Sequence, residues 1–298
     1  MFKLETKNSL STIFSHNILP ELPEVETVRG GLNNLTLDLP IQGGEVLLTR
    51  SLAYPADVEQ FWQGITGKAI SNWQRRGKYL LAQLSSGQPA GWLGVHLRMT
   101  GQLLWLSQNS PLQKHTRIRL FFGGDRELRF VDTRTFGKFW YVPPETEIQS
   151  IITGLQKLGP EPFAADFSLD YFIDKLSNRR RHIKTLLLDQ TIVAGIGNIY
   201  ADEALFKSGI LPSAIATNLT PEQIQKLHRA IIDVLQASIA RGGTTFSDFL
   251  DLLGVSGNYG DTAWVYGRTA EPCRVCGTPI EKIKLGGRSS HFCPNCQS

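Results

Sequence analysis

Cysteine, net charge and long apolar runs are all scarce in this 298-residue chain, and each scarcity excludes something. The four cysteines fall between residues 273 and 296. A secreted disulfide scaffold spreads its cysteines, so the expectation is a cytoplasmic protein with one local metal site. No apolar run approaches the ~18 residues of a membrane span. Lys3 and Lys7 lie near the start, but Glu5 interrupts them and no apolar stretch of about 7–15 residues follows, which argues against a secretory signal. Lys plus Arg number 31 against 27 Asp plus Glu, a net charge of +4 that is compatible with a nucleic-acid partner but favours one only modestly. Internal repeats, low-complexity tracts, a Ser–His–Asp-like grouping and a catalytic metal set are all missing.

What is there describes an ordinary globular protein with a real core: 41% hydrophobic and 19% charged residues, long enough for two domains or one large domain with an appendage. After Pro20 the pattern predicts a short helix. Pro23 suits its first turn, Glu24 and Glu26 suit its positive end, and Val25, Val28, Leu32 and Leu35 form one apolar face. The "RGGLNN" stretch predicts its end in the low thirties. Between about residues 41 and 142, eight short β-branched or aromatic segments separated by Gly, Ser, Pro or Asp predict an antiparallel β-sandwich or flattened barrel. Residues 148–253 read as helices, including one over 169–189 and one capped at Thr220 and stopped at Gly242–Gly243. Residues 253–267 are Gly-rich and predict a loop.

Three constellations carry chemistry. Cys273-x2-Cys276 and Cys293-x2-Cys296, sixteen residues apart, are two knuckles that place four thiolates for one structural Zn²⁺. Lys282, Lys284 and Arg288 lie between them, either as a solvated face or as a basic hairpin presented to nucleic acid. Gly195 and Gly197 precede Asn198 at a predicted helix start, an anion site in which phosphate is the expected anion, or else a tight helix–helix connection. Pro20, Glu21 and Glu24 put two carboxylates in the first turn of a helix, where the bland reading is a favourable interaction with the helix dipole.

Taken together, "PELPEVET", "RRGKYL", "HLRMTG", "DTRTFG", "GIGNIYADEALF" and the cysteine segment resemble the bacterial formamidopyrimidine-DNA glycosylase family, over nearly all of Pro20 to Cys296. The resemblance implies an α+β multidomain protein: an N-terminal helix plus antiparallel β-sandwich domain (20–145), a helical helix-two-turn-helix domain (148–262) and a C-terminal zinc-ribbon hairpin (263–298). It implies a DNA-repair enzyme that removes oxidised purines from damaged double-stranded DNA and cleaves the abasic strand by β- and δ-elimination. No membrane or small-molecule cofactor is expected, and monomer is the default. In this family the N-terminal proline attacks C1′ and forms a Schiff base, which assigns the nucleophile to Pro20. Glu21 matches the acid that protonates the ribose ring oxygen, Glu24 a helper, Lys78 the donor for β-elimination and Arg288 the donor for δ-elimination. His115, Arg134, Arg180 and Asn198 match DNA-binding positions, and Met99, Arg134 and Phe136 match a trio that fills the void left by the flipped nucleotide. The family's "DPRRFG" stands here as "DTRTFG", so no role is carried over to a second arginine. The 254–260 loop would close over the flipped base.

Nineteen residues precede Pro20. An amide nitrogen inside a chain shares its lone pair with a carbonyl and cannot form an iminium. Residues 1–19 are therefore expected to be missing from the mature protein, through initiation at codon 19 or cleavage after Leu19. If they stay, the expectation becomes a zinc-containing protein that binds damaged DNA without cutting it.

Overall fold

A computed structural model describes residues 19–244, 252–254 and 260–298. The expected extension, apart from Leu19, and most of the expected base-covering loop at 254–260 therefore lie outside the described residues.

The first helix, α1 (Leu22–Thr36), runs past the low thirties where "RGGLNN" predicted its end. Two contacts carry it through. Val25, Val28 and Leu32 are buried in the main core, and Asn33 pairs with both backbone groups of Trp73, accepting its N–H at 2.8 Å and donating to its carbonyl at 3.1 Å. Tertiary burial here outweighs the weak propensity of Gly30 and Gly31. Gly31 also has a packing reason, since a Cβ there would stand 2.9 Å from Leu252 Cδ1.

Nine strands, not eight, build the sandwich: β1 (Gly43–Val46), β2 (Leu52–Tyr54), β3 (Ala69–Arg76), β4 (Tyr79–Ser85), β5 (Pro89–His96), β6 (Gly101–Ser107), β7 (Thr116–Phe122), β8 (Arg126–Asp132) and β9 (Lys138–Val142). One sheet has the order β1-β7-β8-β6 and the other β2-β9-β5-β4-β3, antiparallel throughout except for β2 beside β9. In β7, Thr116, Ile118, Leu120 and Phe122 point inward in strict alternation. In β4 the alternation is lost because both faces are covered, Leu80, Ala82 and Leu84 by the sandwich core and Tyr79 and Leu81 by a second cluster containing Ile152 and Leu155. An unexpected helix, α2 (Val58–Ile65), closes one end of the sandwich. Asp57 caps it by accepting the Gln60 N–H, and Phe61 and Ile65 are its buried anchors.

A short helix α3 (Ile148–Ile151) and a 3₁₀ turn lead into the helical part. The single helix expected over 169–189 is two, α4 (Leu169–Ser177) and α5 (Ile183–Leu187). Between them the backbone turns outward, because the amides of Ile183 and Ala216 bond to carbonyls of Ala214 and Arg181, tying this connection to the chain near Ile215. Arg179, Arg180 and Arg181 are thereby exposed on a loop rather than spread around a helix. Helices α6 (Asn198–Ser208) and α7 (Pro221–Ile239) complete the second core, with Thr220 and Gln223 forming a reciprocal cap at the start of α7. A hairpin, β10 (Glu281–Leu285) and β11 (Arg288–Phe292), ends the chain.

Candidate active site

The N-terminus of α1 abuts that of α6. Leu22 N–H bonds to the Gly195 carbonyl at 3.0 Å, and Gly195 adopts φ +90°, a conformation glycine tolerates. Glu21 then reaches across. Its carboxylate accepts the N–H of Ile199 at 2.9 Å and of Tyr200 at 3.4 Å. The first N–H groups of α6, after the glycine-rich turn, are thus taken by Glu21 of the protein itself. Gly197 is required here by close approach, since a Cβ would fall 2.3 Å from Glu21 Cδ. Burial pushes the Glu21 carboxyl above its usual range, while Lys78 and the α6 amides partly oppose that rise.

Glu24, fully buried, is held from three sides. It accepts the Tyr200 hydroxyl at 2.5 Å, the Thr244 N–H at 2.8 Å and the Glu21 N–H at 2.9 Å. Tyr200 OH also contacts Ser238 Oγ and Thr244 Oγ1. Burial, reinforced by the neighbouring Glu21 charge, pushes the Glu24 carboxyl up to about 7.

Lys78 sits in the two-residue β3–β4 turn beside Gly77, which has φ +55°. Glu161 fixes this turn by accepting Gly77 N–H at 2.6 Å and pairing with Arg75 at 2.5 Å and Arg76 at 2.9 Å. The Lys78 ammonium donates to the Ile196 carbonyl at 3.1 Å. Burial lowers the Lys78 pKa against the opposing pull of Glu21 and Glu24, which increases its neutral fraction. Pro20, Glu21, Lys78, Met99, Asn198 and Arg288 line one cavity of about 450 Å³. His96 lines it too. Burial, with the Arg98 and Lys78 charges, holds His96 neutral, and its Nδ1 accepts the Arg98 N–H at 3.0 Å, leaving the proton on Nε2.

The remaining expected residues stand apart from this cavity. Phe136 is 48% exposed, with the Arg134 guanidinium 5.4 Å from its ring centroid. His115 is half-buried, and its Nδ1 is 3.1 Å from Arg117 Nη2. Arg180 projects from the α4–α5 connection.

Arg288 opens β11, and that hairpin is tied down twice. The four cysteine sulfurs lie within 4.8 Å of one another, with separations such as 3.4 Å (Cys276–Cys296) and 3.9 Å (Cys273–Cys296). A tetrahedron with Zn–S bonds of about 2.3 Å has edges of about 3.8 Å, so the cluster fits one structural zinc. The other tie is a buried ionic cluster, with Lys184 2.7 Å from Asp202 and donating at 2.6 Å to the Ser289 carbonyl. Asp202 also accepts His291 N–H at 2.9 Å.

Glu161, Tyr200, Lys184, Asp202 and His96 were not singled out from the sequence. For Glu161 and Lys184 the partners are distant in the chain, 84 residues from Gly77 to Glu161 and 105 from Lys184 to Ser289, so no local pattern marks these two.

Three successive segments match known families. Residues 19–139 match the formamidopyrimidine-DNA glycosylase N-terminal domain, 158–249 its H2TH domain, and 270–298 a zinc finger found in FPG and IleRS. The formamidopyrimidine-DNA glycosylase of Rippkaea orientalis is 66% identical over 282 residues, covering 94% of this chain and 100% of that protein. The chain belongs to the formamidopyrimidine-DNA glycosylase family. It is accordingly a DNA glycosylase of base-excision repair carrying one structural zinc. The formamidopyrimidine-DNA glycosylase of Nostoc punctiforme is 64% identical, over 94% of this chain and 96% of its own. Among solved structures, Lactococcus lactis Fpg with DNA containing an abasic site gives a TM-score of 0.85 at 38% identity, over 93% of this chain and 99% of that one. MutM with DNA containing carbocyclic 8-oxo-G gives 0.85 at 38%, over 94% and 100%. No helix among the described residues is long and apolar enough to cross a membrane.

Proposed function

We propose that this enzyme excises oxidised purines, 8-oxoguanine and formamidopyrimidines, from duplex DNA and then cuts the strand, with Pro20 as nucleophile. The observation that carries this reading is the convergence of Pro20, Glu21, Lys78 and Arg288 on one cavity. The Pro20 nitrogen bonds to C1′ as the bond from C1′ to the base breaks, and the proton that Pro20 N–H gives up leaves on the base, which restores the nitrogen lone pair. Glu21, whose burial favours its protonated form, delivers a proton to the ribose ring oxygen. The C1′–O4′ bond then opens and the nitrogen lone pair closes an iminium. Loss of a C2′ proton expels the 3′ phosphate, and a second elimination expels the 5′ phosphate, with Lys78 and Arg288 as the respective donors. Glu24 supports the first turn by holding the Glu21 amide. Zinc takes no part in these steps; bound by Cys273, Cys276, Cys293 and Cys296, it holds the hairpin that presents Arg288.

His115, Arg180 and Asn198 serve as phosphate contacts, and Met99, Arg134 and Phe136 fill the space of the extruded nucleotide. Residues 20–145, 148–262 and 263–298 are the three domains, and the working enzyme begins at Pro20. The family match beginning at residue 19 supports that start. The reaction takes place in the cytoplasm, where the DNA is.

Borohydride trapping tests the reading. A chain whose intact mass shows Pro20 as its first residue should form a covalent adduct with an 8-oxoguanine duplex, and a chain beginning at Met1 should not. Absence of an adduct from the Pro20 form overturns the Schiff-base mechanism.

A further inference from the structure

Two loops carry the trio assigned above to void filling, and both are conformationally constrained. Met99 follows Arg98, which has φ +56°, and Thr135, at φ +60°, separates Arg134 from Phe136. Non-glycine residues occupy this region only when surrounding bonds impose it. His96 Nδ1 holds the Arg98 N–H, and bonds from both loops meet at Asp132, the fully buried last residue of β8. Its Oδ1 accepts the Thr100 hydroxyl at 2.5 Å and the Arg134 N–H at 3.2 Å, and its Oδ2 accepts the Gly137 N–H at 2.8 Å. Thr100 Oγ1 itself accepts the Arg134 N–H at 3.0 Å, closing a bridge from one loop to the other. The same residue's backbone reaches the His115 segment, since Asp132 N–H bonds to the His115 carbonyl at 2.9 Å and Asp132 O accepts Arg117 Nε at 2.8 Å. Gly137 has no room for a side chain, because a Cβ would lie 2.3 Å from Phe130 and 3.1 Å from Asp132 Oδ2.

We propose that Asp132, with Thr100 as its bridge, is a positioning residue that joins the Met99 loop to the Arg134–Phe136 loop, so that the three side chains enter the duplex as one unit. This rests on the void-filling assignment made above. Extruding a stacked, paired nucleotide costs free energy that a wedge must offset on entry. Side chains on two independent loops would have to be ordered during insertion, whereas loops already joined are ordered in advance. A carboxylate suits the position because donors approach both of its oxygens. Asparagine would turn an NH₂ group toward either the Gly137 or the Arg134 backbone N–H.

The test compares D132N, T100V, T100S and F136A in zinc-loaded protein beginning at Pro20. Single-turnover rates are measured on a duplex carrying one 8-oxoguanine and on the same duplex carrying an abasic site, where no base has to be unstacked. Thr100→Val removes the bridge without placing a new donor beside buried N–H groups, so it decides the matter if Asp132→Asn does not fold. D132N and T100V should slow excision from the lesion duplex by about ten- to a hundredfold, the scale of a lost charge-assisted hydrogen bond. Cleavage at the abasic site should stay close to wild type, and T100S should restore excision. Equal losses on both substrates, or normal excision by T100V while F136A is slowed, would overturn the proposal. If F136A shows no loss specific to the lesion duplex, the void-filling assignment fails and the proposal fails with it.

Discussion

Replacing Gly197 by alanine tests the active-site geometry through a single methyl group. The Gly197 backbone, at φ −133° and ψ −157°, is extended and suits alanine, so the perturbation is steric. The new Cβ would stand 2.3 Å from Glu21 Cδ and 2.4 Å from its Oε1. Ordinary contact requires about 3.4 Å or more, so the carboxylate must retreat by about 1 Å. Glu21 is 1% exposed and held to the α6 amides, so retreat breaks its bond to Ile199 N–H and moves it relative to Pro20. A displacement of about 1 Å in a reacting group costs on the order of a hundredfold in rate, and overpacking of this kind costs about 1–3 kcal/mol of stability. The assay is single-turnover excision from an 8-oxoguanine duplex at saturating enzyme, with affinity for an uncleavable abasic analogue measured in parallel. Excision should fall about a hundredfold while affinity changes little. A G197A enzyme that is folded and excises at the wild-type rate would refute the assignment of Glu21 as the ring-oxygen acid.

Further expectations follow from the same structure. Raising the Glu24 carboxyl from 4.5 to about 7 makes the folded state prefer the proton, so this contribution is complete below pH 4.5 and is lost as pH rises through 7. Its size is about 3 kcal/mol, and urea unfolding of Glu24→Gln should show a flatter dependence between pH 5 and 8 than wild type. Chelating the zinc should unfold the β10–β11 hairpin and release Arg288, so gel analysis of the cut strand should show β-elimination products accumulating at the expense of δ-elimination products. Arg129, fully buried, pairs with buried Glu127 at 2.5 Å and bonds to the Pro111 and Ser110 carbonyls. Arg129→Met leaves the Glu127 charge with Arg119 alone, which should cost about 3–5 kcal/mol in urea unfolding. It should also loosen the segment leading to His115, reducing the salt dependence of DNA binding measured by fluorescence anisotropy.

Local chemistry made much of this protein legible from its sequence. Two CxxC knuckles need only short-range geometry to form a zinc site, and the alternation in β7 and the cap at Thr220 are decided by near neighbours. The motif order marked Pro20, Glu21, Lys78, Met99, Asn198 and Arg288, and the fold brings these six to one cavity. Other features depended on partners far along the chain. Helix α1 passes Gly30 and Gly31 because Asn33 meets Trp73 forty residues away. The expected helix over 169–189 breaks where the chain near Ile215 competes for its backbone. The helix start after the Gly-rich turn meets Glu21, 178 residues distant from Ile199, a partner its local pattern could not name. Periodicity and caps report what a segment prefers alone; which buried donor meets which buried acceptor is settled only when packing removes water and every polar group must find a partner.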